Sequence, residues 1–325
     1  MSDRHGHHDH PGHHDHPEPR GHSGRRGGHR HDTDGLPALI EVAAVHDVSA
    51  SMRRVRFAGE GVAAYLRAPR IPNIKLLFPH EGASPDLPTP GEGHHYDFTP
   101  GQRERVRTYT VRDFDVDAAT LDVDFVRHGR EGLASAWVED ARPGDRLGAL
   151  GGGGRLPGPC TWILLVADDT GLPGASAILE QLPTHQRGVA LLEVDGPEDE
   201  QELAHPDGVE VRWLHRGGTP AAFSGLLTQE ARAELAEVPV ALEEAFVWVS
   251  AESHVVRRLR REVRALGVPR AGQLVIGYWH AGSTETSYAV SADHDRVRDE
   301  SAVMLPEDTA LTGDALAHLF SGGTR

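Results

Sequence analysis

The chain has 325 residues with 33 basic and 49 acidic side chains, a formal charge of −16 with its 22 histidines neutral, and 38% hydrophobic residues. That deficit of Lys and Arg excludes a general binder of nucleic acid or anionic membrane surface, because neutralising phosphate demands a basic surplus. The single cysteine, Cys160, excludes an internal disulfide framework and multi-cysteine zinc or iron–sulfur sites.

Residues 1–35 hold ten histidines among Gly, Asp, Arg and Pro, with almost nothing to build a core, and are predicted to be a disordered tail. A six-residue unit occurs twice, as His7-His8-Asp9-His10-Pro11-Gly12 and His13-His14-Asp15-His16-Pro17-Glu18. Neutral imidazoles at His7, His8, His10, His13, His14 and His16, interleaved with carboxylates, can chelate a divalent metal. A solvated tail with adventitious affinity fits the same residues. The N-terminus lacks an apolar signal segment and no run of 18 apolar residues occurs, so a cytoplasmic protein without membrane insertion is expected.

Residues 36–150 read as short strands, at Ala38–Val48, Ser51–Ala58, Ile74–Phe78, Val106–Phe114 and Leu121–Val126, with a long Pro- and Gly-rich loop from Pro79 to Glu104. Such spacing predicts a small antiparallel barrel. The run Gly151 to Pro159 marks a boundary, after which strand and helix alternate. Strands are expected at Trp162–Ala167, Gly188–Glu193, Val209–Leu214, Ala245–Ala251 and Leu274–Trp279, and helices at Pro173–Gln181, Leu226–Leu235 and Ser253–Leu266. That order predicts an α/β domain with a parallel sheet over residues 151–282. Residues 283–325 are a polar extension with a short helix expected at Asp314–Phe320.

Chemistry concentrates in Arg107-Thr108-Tyr109-Thr110-Val111-Arg112. On a strand, Arg107 and Tyr109 share one face and Thr108 and Thr110 the other. A guanidinium beside a phenol suits a ligand with both a phosphate and a planar ring, although an ordinary cross-strand tyrosine fits the spacing too. Downstream, Gly132-Leu133-Ala134-Ser135-Ala136-Trp137 opens a short helix through Asp140, whose first N–H groups favour an anion such as a pyrophosphate; an N-cap alone reads the same way. Asp168-Asp169-Thr170-Gly171 follows a buried strand and opens a helix, where an α/β sheet receives a nucleotide. No Gly-x-Gly-x-x-Gly fingerprint is present, which argues against a dehydrogenase-type Rossmann domain.

Taken in order, RTYTVR, VDFVRHG, GLASAW, ARPGDRLGALG, ADDTGLPGASAILEQLP and GYW resemble the siderophore-interacting protein family of flavin-dependent ferric-siderophore reductases, within the ferredoxin reductase-like superfamily. The resemblance spans residues 36–282. It implies an FAD site in which Arg107 holds the pyrophosphate, Tyr109 packs on the isoalloxazine and Thr110 lies near the reactive flavin nitrogen, with Thr108, His128, Gly132, Ala134 and Ser135 completing the cradle and Trp137 closing its side. It also implies that the turn of Asp168 and Thr170 and the residue Glu252 lie beside NADH or NADPH, although a strand-to-helix cap fits both, and that the segment of Tyr278 and Trp279 approaches the flavin. His280 stands where the family commonly has Arg, and Asp169 and Gly171 also depart from its pattern. Lys75, the only lysine, together with Arg127, Arg130 and His280, is a candidate contact for an anionic ferric siderophore.

The expected function is reduction of Fe(III)-siderophore to Fe(II), with electrons passing from NAD(P)H through FAD and no protein catalytic residue required. A general NAD(P)H:flavin or ferredoxin-type reductase, and a His-rich metal-binding protein, are the competing readings.

Overall fold

The structure is a computed structural model that describes residues 35–67, 72–80, 83–91, 96–130 and 132–281. The histidine repeats from His7 to His16 and the helix expected at Asp314–Phe320 lie outside the described residues.

The first half is built by strands that bury alternate side chains. β1 (Ala38–Asp47) and β2 (Met52–Ala58) form an antiparallel hairpin, and Val55 and Phe57 point inward with no exposure. α1 (Glu60–Arg67) then lays Val62 and Tyr65 on the core, and the Tyr65 hydroxyl donates to the Asn73 carbonyl at 2.9 Å. Next come β3 (Asn73–Leu77), the small β4 (Thr89–Pro90) and β5 (Tyr96–Asp97) pair, β6 (Val106–Thr110), β7 (Asp113–Asp115), β8 (Thr120–Val126), α2 (Leu133–Asp140) and β9 (Arg146–Gly153). Seven of these strands form one sheet in the order β6-β3-β9-β1-β2-β8-β7, every pair antiparallel. The sheet curls so that Tyr109 of β6 meets Phe125 of β8, ring centroids 4.4 Å apart.

Two local expectations are corrected, and one helix is added. The single strand read at Val106–Phe114 is two, β6 and β7, because the Val111 N–H turns away to the Pro72 carbonyl and the Arg112 N–H to the Asp122 carbonyl. α1 lies in a stretch for which no element is predicted; it packs against β1 and β2 through Val62 and Tyr65. β9 continues into the glycine run, where Gly152 and Gly153 pair with Ile74 and Asn73 of β3.

The second half follows as β10 (Trp162–Ala167), α3 (Leu172–Leu179), β11 (Arg187–Val194), β12 (Val209–His215), α4 (Ala221–Ser224), α5 (Leu226–Ala236), β13 (Ala245–Glu252), α6 (Ser253–Leu266) and β14 (Gln273–Trp279). β10, β11 and β13 are apolar along nearly their whole length because helices cover both faces of a parallel sheet. Strand order is β12-β11-β10-β13-β14, so the order reverses between β10 and β13 and opens a crevice at their carboxyl ends. α6 buries Val255, Val256, Leu259 and Val263 at helical spacing and turns its arginines outward.

The two sheets share packing. Met52 of β2 joins the core of the parallel half with Ile163, Leu165 and Trp248. Both the N–H and the hydroxyl of Ser51 donate to Asp199 Oδ1, at 2.9 and 2.7 Å, and Arg112 donates to the Glu180 carboxylate at the end of α3.

Within the first half, Arg54 makes paired bonds of 2.6 and 2.8 Å to Asp124, whose side chain is 1% exposed. Removing the guanidinium leaves a buried carboxylate without its main partner. Arg54→Met is therefore expected to lower stability by about 3 kcal/mol in urea unfolding followed by circular dichroism; a loss below about 0.5 kcal/mol would contradict that role.

Candidate active site

β6 places Arg107 and Tyr109 on the inner face of the curled sheet. Arg107 is 8% exposed, and its Nη1 donates to the carbonyls of Glu104 and Val106 at 2.8 and 2.9 Å, which holds the guanidinium at the start of the strand. Tyr109 stays half-buried on a ring cluster made by Phe78, Phe125 and Trp137. Trp137 also lies 6.4 Å from Phe57, so much of its indole serves the core. Thr108 is exposed and opposite Lys75 in register on β3. Thr110 is buried and faces the other half of the molecule.

The turn into α2 is the second element. Gly132 has φ +99°, and a Cβ built there meets nothing within 4 Å, so the turn opens to space. Gly132, the N-cap, offers no side chain, and among the described residues no side-chain cap closes the helix, which leaves its first N–H groups and the positive end of the dipole toward the turn. Ala134 is half-buried, while buried Ser135 places its hydroxyl 2.6 Å from His128 Nε2, fixing an otherwise exposed imidazole beside that turn.

At the carboxyl edge of the parallel sheet the organising group is Asp168, 1% exposed. Its Oδ1 accepts from the Thr170 N–H and hydroxyl at 2.9 and 2.6 Å, and its Oδ2 accepts from the Glu252 N–H and Trp279 Nε1 at 2.9 and 2.8 Å. Burial pushes the Asp168 carboxyl pKa up, against the pull of these donors. The ends of β10, β13 and β14 are thus tied through one side chain. Glu252 is the N-cap of α6 and accepts from the His254 and Val255 N–H groups with Oε2 and from the Ala281 N–H with Oε1 at 3.1 Å. Burial raises its pKa, but those hydrogen bonds prevail and hold it below the ordinary carboxylate range.

Both halves meet at Thr110. Its Oγ1 lies 3.5 Å from the position of a Cβ on Gly174, in the first turns of α3, beside Trp248. The Tyr278 phenol faces the hydroxyls of Thr110 and Ser250, and burial raises its pKa. The structure therefore brings together Thr110 from β6, Tyr278 and Trp279 from β14, and the α3 turn governed by Asp168, whereas Tyr109 lies on the opposite face of β6 against Phe78 and Phe125.

Other expected contacts separate from this group. Arg127 is bound to Glu139 at 2.9 and 2.8 Å and lies 3.3 Å from Asp47, and Arg130 is paired with Asp140. They line an open cavity of about 430 Å³ with Glu139, so the basic cleft expected from them is charge-balanced. Carboxylates outnumber cations in this chain, and both arginines pair with carboxylates of α2, Arg130 in an exposed pair. His280 sits just past β14, its Nδ1 2.8 Å from the Ala281 carbonyl. Sequence reasoning missed a second polar group, Asp169 with Arg216 at 2.7 Å and neighbouring Glu193. Burial drives Asp169 up to about 7 despite Arg216. The apolar strands ending in Asp168-Asp169 and Glu193 were the available signal.

Residues 41–156 match the family described as siderophore-interacting FAD-binding domain, and residues 160–282 match siderophore-interacting protein. The ferric vibriobactin reductase ViuB of Vibrio cholerae is 31% identical over 255 residues, covering 78% of this chain and 92% of that protein. The NADPH-dependent ferric-chelate reductase of Escherichia coli is 29% identical over 247 residues, covering 74% of this chain and 92% of that protein. The crystal structure of the siderophore-interacting protein SipS from Aeromonas hydrophila aligns with a TM-score of 0.65 at 32% identity, over 80% of this chain and 97% of SipS. With both sheets covered by matched segments, the chain belongs to the siderophore-interacting protein family.

Proposed function

We propose that this protein reduces ferric siderophores to release Fe(II), using NAD(P)H as electron donor and FAD as cofactor. The observation that carries the reading is the convergence of Thr110, Tyr278 and the α3 turn at one seam, since a flavin must touch the nucleotide on one side and be held by its own domain on the other.

The residues fit a flavin dinucleotide. The uncapped first turn of α2, entered through Gly132 with open space at its α-carbon, offers N–H donors of the kind a pyrophosphate takes. Tyr109 keeps part of its ring clear of the core beside it, suited to a planar ring. We assign Arg107, Ser135 and the Gly132–Ala134 backbone to the phosphates, Tyr109 and Trp137 to the ring system, with Thr108 and His128 at its border. Thr110 is assigned to the edge of the ring that faces the parallel sheet. Residues 36–150 form the flavin half in this reading and 151–282 the nucleotide half. Thr170 and Tyr278 border the nicotinamide, whereas Asp168, Trp279 and Glu252 position the turns around it.

When bound, FAD supplies the conversion between two-electron donation by NAD(P)H and one-electron delivery to ferric iron. The chain's part is to bind, align and exclude water. The buried Thr110 hydroxyl and the half-buried Tyr278 line the seam, and the Asp168 clamp fixes where the nucleotide turn stands. Release follows from coordination chemistry, because hard oxygen donors hold Fe(II) much less tightly than Fe(III). Lys75 and His280 are retained as contacts for an anionic chelate, Arg127 and Arg130 only where chelate binding displaces their acidic partners. The cytoplasm is the compartment this reading implies, since NAD(P)H is the donor. Divalent-metal capture by His7, His8, His10, His13, His14 and His16 rests on composition alone.

The test is anaerobic. The protein should be yellow, be bleached by NADH or NADPH, and regain colour on adding a ferric siderophore, with two Fe(II) trapped per NAD(P)H consumed. Arg107→Ala and Tyr109→Ala should each weaken FAD binding about tenfold or more by fluorescence titration. Wild-type affinity in both would remove the site assignment. Reoxidation by ferredoxin or oxygen but not by ferric siderophore would favour a general flavin reductase instead.

A further inference from the structure

The carboxyl edge of the parallel sheet carries a cluster in which Glu252, besides capping α6, meets two imidazoles that the flavin and nucleotide assignments do not use. Register places it there: Glu252 ends β13, pairs with Trp279 of β14, and so brings His280, the next residue, beside the start of α6. His254 lies two residues after Glu252, in the first turn of that helix. One donor atom from each of Glu252, His254 and His280 falls within 4.8 Å of the others. The two imidazoles lie 4.8 Å apart between ring centroids, and His254 Nδ1 is 3.1 Å from Glu252 Oε1.

We propose that Glu252, His254 and His280 form a binding site for a divalent first-row transition-metal ion. Two imidazoles and one carboxylate on a single face are a donor set that such ions take, leaving further positions for water. The surroundings suit that role. Glu252 is fully buried and fixed by backbone N–H groups, so Oε1 is presented in one place. His280 Nδ1 is within hydrogen-bond distance of the Ala281 carbonyl; donating there directs the Nε2 lone pair outward, the arrangement that orients a ligating imidazole. The His254 side chain is 59% exposed, which lets it swing onto an ion. Metal bonds of about 2.1 Å set donors roughly 3–3.5 Å apart, so the cluster closes by side-chain rotation without moving the strands. That the ion delivered there is the Fe(II) product rests on the reductase reading; the site itself does not.

Full-length, FAD-loaded protein is dialysed against chelator-buffered Zn(II), and bound zinc is counted for wild type, His254→Ala and His280→Ala. The histidine tail contributes equally to all three. Each variant should hold close to one ion fewer than wild type, or show an apparent Kd raised by more than about tenfold for that ion. Crystals soaked in Co(II) should give an anomalous peak between the three side chains. Equal zinc content in all three proteins, or a Co(II) soak without that peak, overturns the site. Because Glu252 caps α6, it is left intact. His254→Ala should leave flavin reduction by NAD(P)H unchanged. If wild type binds the extra ion yet frees no Fe(II) from a ferric siderophore, the site stands and the reductase reading falls.

Discussion

The buried carboxylate of Asp168 is the constraint on which the rest of the site depends. A lone ionised group at 1% exposure would be costly, but this one receives hydrogen bonds from its own turn, from the Glu252 N–H and from the Trp279 indole. Each of those donors begins or ends a different element. The α3 turn, the first turn of α6 and the end of β14 are therefore set against one another by one side chain, and Tyr278 follows because it precedes Trp279 on the same strand.

From that fixed edge the seam is a consequence of packing. Met52 enters the core of the parallel half, Ser51 reaches Asp199, and Arg112 reaches Glu180, so three separate points of the antiparallel sheet dock on the parallel one. Thr110 then arrives beside Gly174, Trp248 and Tyr278. Neither sheet alone contains this arrangement. A cofactor seated there has one half to hold it and another to bring its reductant, which is what a reaction without a protein nucleophile or general acid needs.

Much of this was legible in the residues. The strands from Trp162 to Ala167 and from Ala245 to Ala251 are apolar runs bounded by polar turns, and α6 shows its valines and leucines at helical spacing. The RTYT strand and the Gly132 turn suggest phosphate and ring recognition by residue type, the roles proposed for them above. Other features depend on distant partners and leave no local trace. β9 reads as linker because Gly151, Gly152 and Gly153 have no side chains to alternate, yet β3 supplies their hydrogen bonds. Arg127 and Arg130 looked like a basic cleft until folding placed Glu139 and Asp140 against them. His254 and His280 are 26 positions apart, and only the β13–β14 register makes them neighbours.

The central claim is that both sheets contribute to one flavin site. Amide hydrogen exchange read by mass spectrometry, with and without added FAD and a nicotinamide nucleotide, tests it directly. The account predicts slowed exchange in three places together: Val106–Thr110, the first turn of α2, and the end of β14 through Trp279. Protection confined to one sheet, or no protection at β14 when both ligands are present, would contradict it.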